Sequence, residues 1–268
     1  MKRILFPTDF SPTARNAFSY ACALAAELGA KIDLLSIYHL PVADASSVPP
    51  EYIERMLEDK KHQLAIKMAE FLKICDPHSL GKTKIEYGIF VAQEIADIAR
   101  EGRYDLIVMG TKGEHNAFEK ILGSVTSNTM MQAPCPVLAV PEGAVYQPIR
   151  NIAYAADFNP GEDHAVQELL AIAEPFGALV HFVHVDTRTS VPAGELEPFH
   201  GSMRQFADFA VVSNASLQEG MDQFLHLHDI DLLALFIPRR RLWEKLFHSS
   251  FSKRMAFHTR VPLLIFHE

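Results

Sequence analysis

Three glycines and a serine are spaced for phosphate chemistry in the stretch from Asp105 to Val140, DLIVMGTKGEHNAFEKILGSVTSNTMMQAPCPVLAV. Gly110, Gly113 and Gly123-Ser124 fit the pattern G-x2-G-x9-G-S. Glycine leaves main-chain amides unobstructed, so an anion can approach them. Gly123-Ser124-Val125-Thr126 then enters a helical stretch. Free N–H groups and the positive end of the dipole suit an anion there, and the Ser124 and Thr126 hydroxyls can add donors. Loop glycines also make plain turns, and Ser124 also reads as an ordinary N-cap. The placement of this spacing between a buried strand and a helix makes it more specific than scattered glycines. Asp9 is the second chemical element. After a strand an aspartate often serves its own turn, but Ser11 supplies the helix cap, which frees Asp9 to accept from a ribose or a base. Ile37 can wall an adenine; alone it would be core.

These groups need a frame that brings them to one edge. Lys2 to Phe6 reads as a buried strand, Pro7-Thr8-Asp9-Phe10 as a turn, and Ser11-Pro12 as a helix start. Gly29 closes that helix, and Ile32 to Tyr38 is a second apolar strand. A buried strand on each side of a helix marks a parallel βαβ unit. A loop over 40–50 precedes a long charged helix from Glu51 to Ile74. A strand at Thr83 to Gly88, a helix at Ala92 to Arg100, strands at Leu106–Met109 and Val137–Val140, and a helix near 124–132 complete the alternation. The expectation is an α/β fold of doubly wound, Rossmann-like parallel sheets with about five strands each. In such a sheet ligands sit beyond the carboxyl ends of the strands, where the first strand ends at Pro7-Thr8-Asp9 and the fourth at Met109-Gly110.

At residue 149 the pattern begins again. IRNIAYAADFNP (149–160) parallels MKRILFPTDFSP (1–12) at an offset of 148, and GALVHFVHV (177–185) parallels GAKIDLLSI (29–37) at the same offset. IDLLALF (230–236) parallels YDLIVMG (104–110) at 126, as VPLLIF (261–266) parallels CPVLAV (135–140). About 22 residues are therefore missing between the second and fourth strands of the second copy. The expected domains are 1–143 and 149–268, joined through Pro141 to Pro148 and paired as a pseudo-symmetric internal dimer.

The chain has 268 residues, a formal charge of −8 and about half hydrophobic residues. Without a basic stripe, nucleic-acid binding is disfavoured. No apolar run approaches the ~18 residues of a membrane span, and the start lacks a signal peptide's apolar region. Three cysteines, Cys22, Cys75 and Cys135, form no CxxC pair; so sparse a set argues against a disulfide framework and for a reducing, cytoplasmic setting. Nine of thirteen histidines lie in the second half. His181 and His184 face opposite sides of a strand, His226 and His228 do not converge on a helix, and no zinc-ligand spacing emerges, so no metal site is expected.

With these residues placed, the chain resembles the universal stress protein family in its tandem two-domain form, over essentially its whole length. ILFPTDFS at the first strand, the G-x2-G-x9-G-S signature and the closing CPVLAVP strand carry the resemblance in the first half. The signature marks the ATP-binding branch of the family. The resemblance implies that Asp9, Ile37, Met109 and Gly110 hold the adenosine of ATP, with Pro7 and Thr8 beside them. It implies that Gly113, Gly123, Ser124, Val125 and Thr126 hold the phosphates, accompanied by a divalent cation such as magnesium. It also implies pairing through the fifth strand, here Val137 to Val140 against Leu263 to Phe266, or a homodimer. The second half departs from the pattern. Asp157 survives, but Phe236 stands where Gly110 stands, Pro238-Arg239 near Gly113, and His248-Ser249-Ser250 near Gly123-Ser124. No nucleotide is expected there. Arg239-Arg240-Arg241 reads first as a solvated loop and second as a site for an anion or protein partner. No Ser/His/Asp relay, G-x-S-x-G elbow or Walker lysine occurs, and Lys112 and Lys120 read as surface cations. The expected role is a stress-response nucleotide-binding regulator, not an enzyme; a slow ATP hydrolase and a nucleotide-free scaffold are the alternatives.

Overall fold

The computed structural model describes residues 1–39, 49–111, 124–156, 162–187, 206–237 and 261–267. Apolar runs in the first half become β1 (Arg3–Pro7), β2 (Lys31–Tyr38), β3 (Leu80–Tyr87), β4 (Leu106–Thr111) and β5 (Val137–Pro141). Between them run α1 (Pro12–Leu28), α2 (Pro50–Leu72), α3 (Val91–Gly102) and α4 (Ser124–Gln132). The second half supplies β6 (Asn151–Ala155), α5 (Glu162–Ala173), β7 (Leu179–Asp186), β8 (Phe206–Ser213), α6 (Leu217–Leu227), β9 (Leu232–Ile237) and β10 (Leu263–His267). The fold is α/β, with helices on both faces of a mostly parallel sheet.

Local chemistry sets the boundaries. Ser11 Oγ accepts from the Ala14 amide at 3.1 Å, Pro12 opens α1, and Gly29 ends it in the left-handed region at φ 61°, where a side chain would be strained. The four innermost residues of β1 and all of β9 are buried, which fits strands covered on both faces.

The strands form one sheet in the order β3-β2-β1-β4-β5-β10-β9-β6-β7-β8. The pairings are parallel except β5 with β10, which run antiparallel with Leu264 opposite Leu138. The fifth strands of the two halves therefore do meet. Two apolar layers flank the sheet. Phe18, Phe71, Leu138, Leu169 and Phe266 belong to one, and Ile95, Met130, Val137, Phe224 and Ile265 to the other. Both layers cross the seam. The connecting stretch lies along α1: Asn16 Nδ2 donates to the carbonyls of Pro141 and Ala144, both at 3.2 Å, and Tyr146 donates to Glu27 at 2.6 Å.

Strand register tests the internal repeat. Ile4 pairs Leu106 as Ile152 pairs Leu232, and Gly110 pairs Val140 as Phe236 pairs Phe266. Ile37 pairs Glu86 as Val185 pairs Val212. The lower offset already holds at the third strand, so the shortening falls between β7 and β8, a narrower interval than the sequence indicated. Residues 188–205, where the shortened helix would lie, are outside the described residues. One polar device is copied too. Asp105 accepts from the amides of Lys2 and Arg3, and Asp231 from those of Arg150 and Asn151.

The cysteines correct the sequence reading. Cys22 on α1 and Cys75 beyond α2 form a disulfide, with Cα atoms 5.5 Å apart. Their 53-residue separation conceals that these two elements pack side by side.

Candidate functional site

The carboxyl ends of β1, β2 and β4 open into a cavity of about 380 Å³. That lies within the roughly 300–1,000 Å³ of small-molecule sites. It sits where strand order reverses about β1, the place at which doubly wound sheets take ligands. Pro7, Thr8 and Asp9 line it from β1, Ile37 from β2, Met109 and Gly110 from β4, and Val125 and Thr126 from the start of α4. Eight of the residues singled out in the sequence thus share one cavity. Gly113 and Gly123 lie outside the described residues, as do Lys112, Lys120 and Arg239 to Arg241. Ser124 is described only as the first residue of α4.

The turn after β1 aims the polar groups. The Thr8 amide donates to Leu35 O at 2.8 Å, which ties the turn to β2, and Thr8 Oγ1 accepts from the Phe10 amide at 3.0 Å. Phe10 is left-handed at φ 62°, an uncommon setting for a bulky residue. Its ring meets Phe71 edge-on at 5.4 Å, so packing holds the turn. Asp9 is exposed at the cavity mouth.

Three expected roles change. Asp9 is not free of its turn, because Oδ1 accepts from the Ser11 amide at 2.9 Å. Thr126 Oγ1 donates to Gly110 O at 3.3 Å, so this hydroxyl ties the helix start to β4 in place of serving as an open donor. Gly110 answers first to packing. A Cβ there would lie 2.9 Å from Thr13 O and 3.2 Å from the Ala17 Cβ, so glycine lets α1 close onto the end of β4.

The sequence reading missed the rest of the lining. Ser11, Thr13 and Ala14 come from the first turn of α1, and His39 follows β2. Leu35 lies two residues before Ile37 on the same strand face, and Val91 and Ile95 are one helical turn apart on α3. Both periodicities were available, but only the packing of α3 against this edge shows that they face the cavity. The result is an apolar wall of Leu35, Ile37, Val91, Ile95 and Met109 opposite a polar rim of Thr8, Asp9, Ser11, Thr13 and His39. Such a site can sandwich a flat apolar ring system and hydrogen-bond a polyol. The N-terminus of α4 supplies amides for an anion. Cys135 is no nucleophile near neutrality, since burial, with Glu168 nearby, pushes its thiol up to about 12.

A second polar group lies at the opposite, amino-terminal edge of the strands. Buried Asp33 accepts from Arg3 Nη2 at 2.8 Å, Tyr104 Oη at 2.7 Å and the Lys82 amide at 2.6 Å. Burial works against its charge, but these hydrogen bonds prevail and hold its pKa below the usual carboxylate value. Burial, then the bond to Asp33, pushes the Tyr104 phenol up. Bonding to Asp33 also raises Arg3, whose guanidinium lies 4.4 Å from the Tyr104 ring centre.

The profile of the universal stress protein family matches residues 1–141. Two universal stress proteins of Methanocaldococcus jannaschii are similar over about half the chain. One is 30% identical over 151 residues, covering 52% of this chain and 81% of its own length; the other is 32% identical over 154, covering 52% and 94%. A solved universal stress protein from Archaeoglobus fulgidus superimposes with a TM-score of 0.71 at 18% identity, covering 98% of this chain and 95% of that one. That likeness concerns the fold.

Proposed function

The chain belongs to the universal stress protein family, and on that premise we propose that it is a stress-response nucleotide-binding protein holding one ATP, in its first half only. The halves are taken as domains 1–143 and 149–268. The observation that carries the reading is the meeting of eight sequence-selected residues around one cavity at the switch point of the sheet.

In this reading the adenine lies against Ile37, Met109 and Val91, and its ribose hydroxyls donate to the open oxygen of Asp9. The phosphates run toward α4, where the amides of Ser124, Val125 and Thr126 take them up. The family resemblance assigns Gly113 and Gly123 to the same phosphates. A magnesium ion would travel with the phosphates. The role is binding and signalling through the bound state, not efficient hydrolysis.

Purifying the full chain without added nucleotide, denaturing it and identifying the released small molecules tests this. ATP recovered near one equivalent supports it. Val125→Glu is the informative variant. Val125 is 37% exposed, and a carboxylate in the first turn of a helix favours the helix while repelling phosphate. Folded Val125→Glu protein should carry no ATP, and Gly123→Val should lose it too. ATP retained by both variants at the unmodified ratio would remove the assignment. ADP released over many turnovers would replace binding by catalysis.

A further inference from the structure

At the amino-terminal ends of β7 and β8 in the second half, His181, Asp208 and His228 bring one ligand atom each within 4.8 Å of one another. The residues lie 27 and 20 apart in sequence, so no short motif announces them. They converge because β7 pairs β8 with His181 opposite Asp208, and because α6 ends beside them with His228 as its C-cap. His181 Nδ1 is 2.8 Å from Asp208 Oδ1, and its Nε2 is 3.4 Å from Asn151 Oδ1. The His181 and His228 ring centres are 5.4 Å apart, and His228 stacks on Phe224 at 4.1 Å. His181 and Asp208 thus stand on paired strands, and His228 at the end of a helix is held by its stacking on Phe224.

The matching place in the first half sharpens the point. There Asp33, Lys82, Arg3, Gly102 and Tyr104 stand where the repeat puts His181, Asp208, Asn151, His228 and Ile230. In the first half the guanidinium of Arg3 and the phenol of Tyr104 fill the space between strand and helix end. A Cβ on Gly102 would lie 2.2 Å from the Tyr104 ring. The second half removes both the cation and the ring, and it introduces an imidazole at each of two facing positions plus a carboxylate. Where the first half has Asp33 and Lys82, the second has His181 opposite Asp208.

We propose that His181, Asp208 and His228 bind a divalent first-row transition ion of the zinc class. Two imidazole nitrogens and one carboxylate oxygen suit that class and not magnesium or calcium, which prefer oxygen shells. Three protein ligands leave a fourth position for water or for a ligand from a partner. Asn151, beside the His181 ring, can orient the coordinated water or the ring. The site is separate from the nucleotide cavity and does not depend on it.

Zinc titration of the chelator-stripped full chain by calorimetry, with cobalt substitution followed by visible absorption, tests the site. The expected result is one equivalent bound at micromolar affinity or better, with the intense visible bands of low-coordinate cobalt. His228→Ala and Asp208→Asn should each weaken binding by about tenfold or more, while keeping the far-ultraviolet dichroism of the parent. His226→Ala, on the same helix but exposed, should bind as the parent does. Equal loss in His226→Ala would show adventitious surface histidines and overturn the proposal. So would unchanged stoichiometry in the double variant His181→Ala, His228→Ala, or no binding at micromolar zinc.

Discussion

Asp33 and His181 occupy matching positions in the two halves of one sheet, and Gly110 and Phe236 occupy another matching pair. At the amino-terminal edge the first half closes a carboxylate inside an arginine, a phenol and a backbone amide; the second half gathers imidazoles and a carboxylate. At the carboxyl edge the first half leaves a cavity beside Gly110, while the second places a buried phenylalanine there. The frame between these edges is unchanged, down to the shared register, the irregularity in the second and third strands, and the aspartate that ties the first strand. The two halves of the sheet therefore differ at their edges while the buried strands keep one register.

The comparison can be broken by exchange. Phe236→Ala should cost about 3–5 kcal/mol of stability, because a buried aromatic leaves a cavity, and it should not create a second nucleotide site. Urea unfolding and ATP titration of that variant read both outcomes, and a second bound ATP would mean that Phe236 alone keeps ligand out. Gly110→Ala should cost less, about 1–3 kcal/mol, through overpacking against Thr13 O on α1. A thermal midpoint equal to the parent's would show that α1 can yield there.

At the other edge Asp33 should make the first half sensitive to acid. The pKa of Asp33 is lowered on folding, so its stabilisation is fully present above the unfolded carboxylate value of about 4. It is lost as pH falls through the lower folded value. Asp33→Asn should therefore destabilise near neutrality by about 1–3 kcal/mol and flatten the fall in urea midpoint below pH 4. An equally steep fall in the variant would assign the acid sensitivity elsewhere. The smallest effect is expected at the caps, where both halves use one device. Ser11 caps α1 and Ser216 caps α6, and Ser→Ala at either should cost about 1 kcal/mol.

Much of the frame was legible in the sequence. Continuous apolar runs marked the strands, Ser11-Pro12 and Gly29 marked the ends of α1, and the change of offset located the shortened region. Six residues of the cavity were legible as strand ends, whose position follows from topology, and Val125 and Thr126 as the start of a helix after the glycine pattern. Val91 and Ile95 were not, since helix docking decides which of their faces meets the cavity. The bond from the Ser11 amide to Asp9 is a local turn contact, whereas the roles of Gly110 and Thr126 were also hidden, because each depends on a backbone atom from another segment. The Cys22–Cys75 bond and the His181, Asp208 and His228 group share that property: elements distant in sequence make them, and short-range spacing carries no trace.

The division between the halves is tested most directly by the number of ATP molecules bound per folded chain, measured by native mass spectrometry across a titration. One ATP per chain is expected, lost in Val125→Glu and kept in Phe236→Ala. Two per chain, or one that survives Val125→Glu, would contradict the assignment of nucleotide binding to the first half.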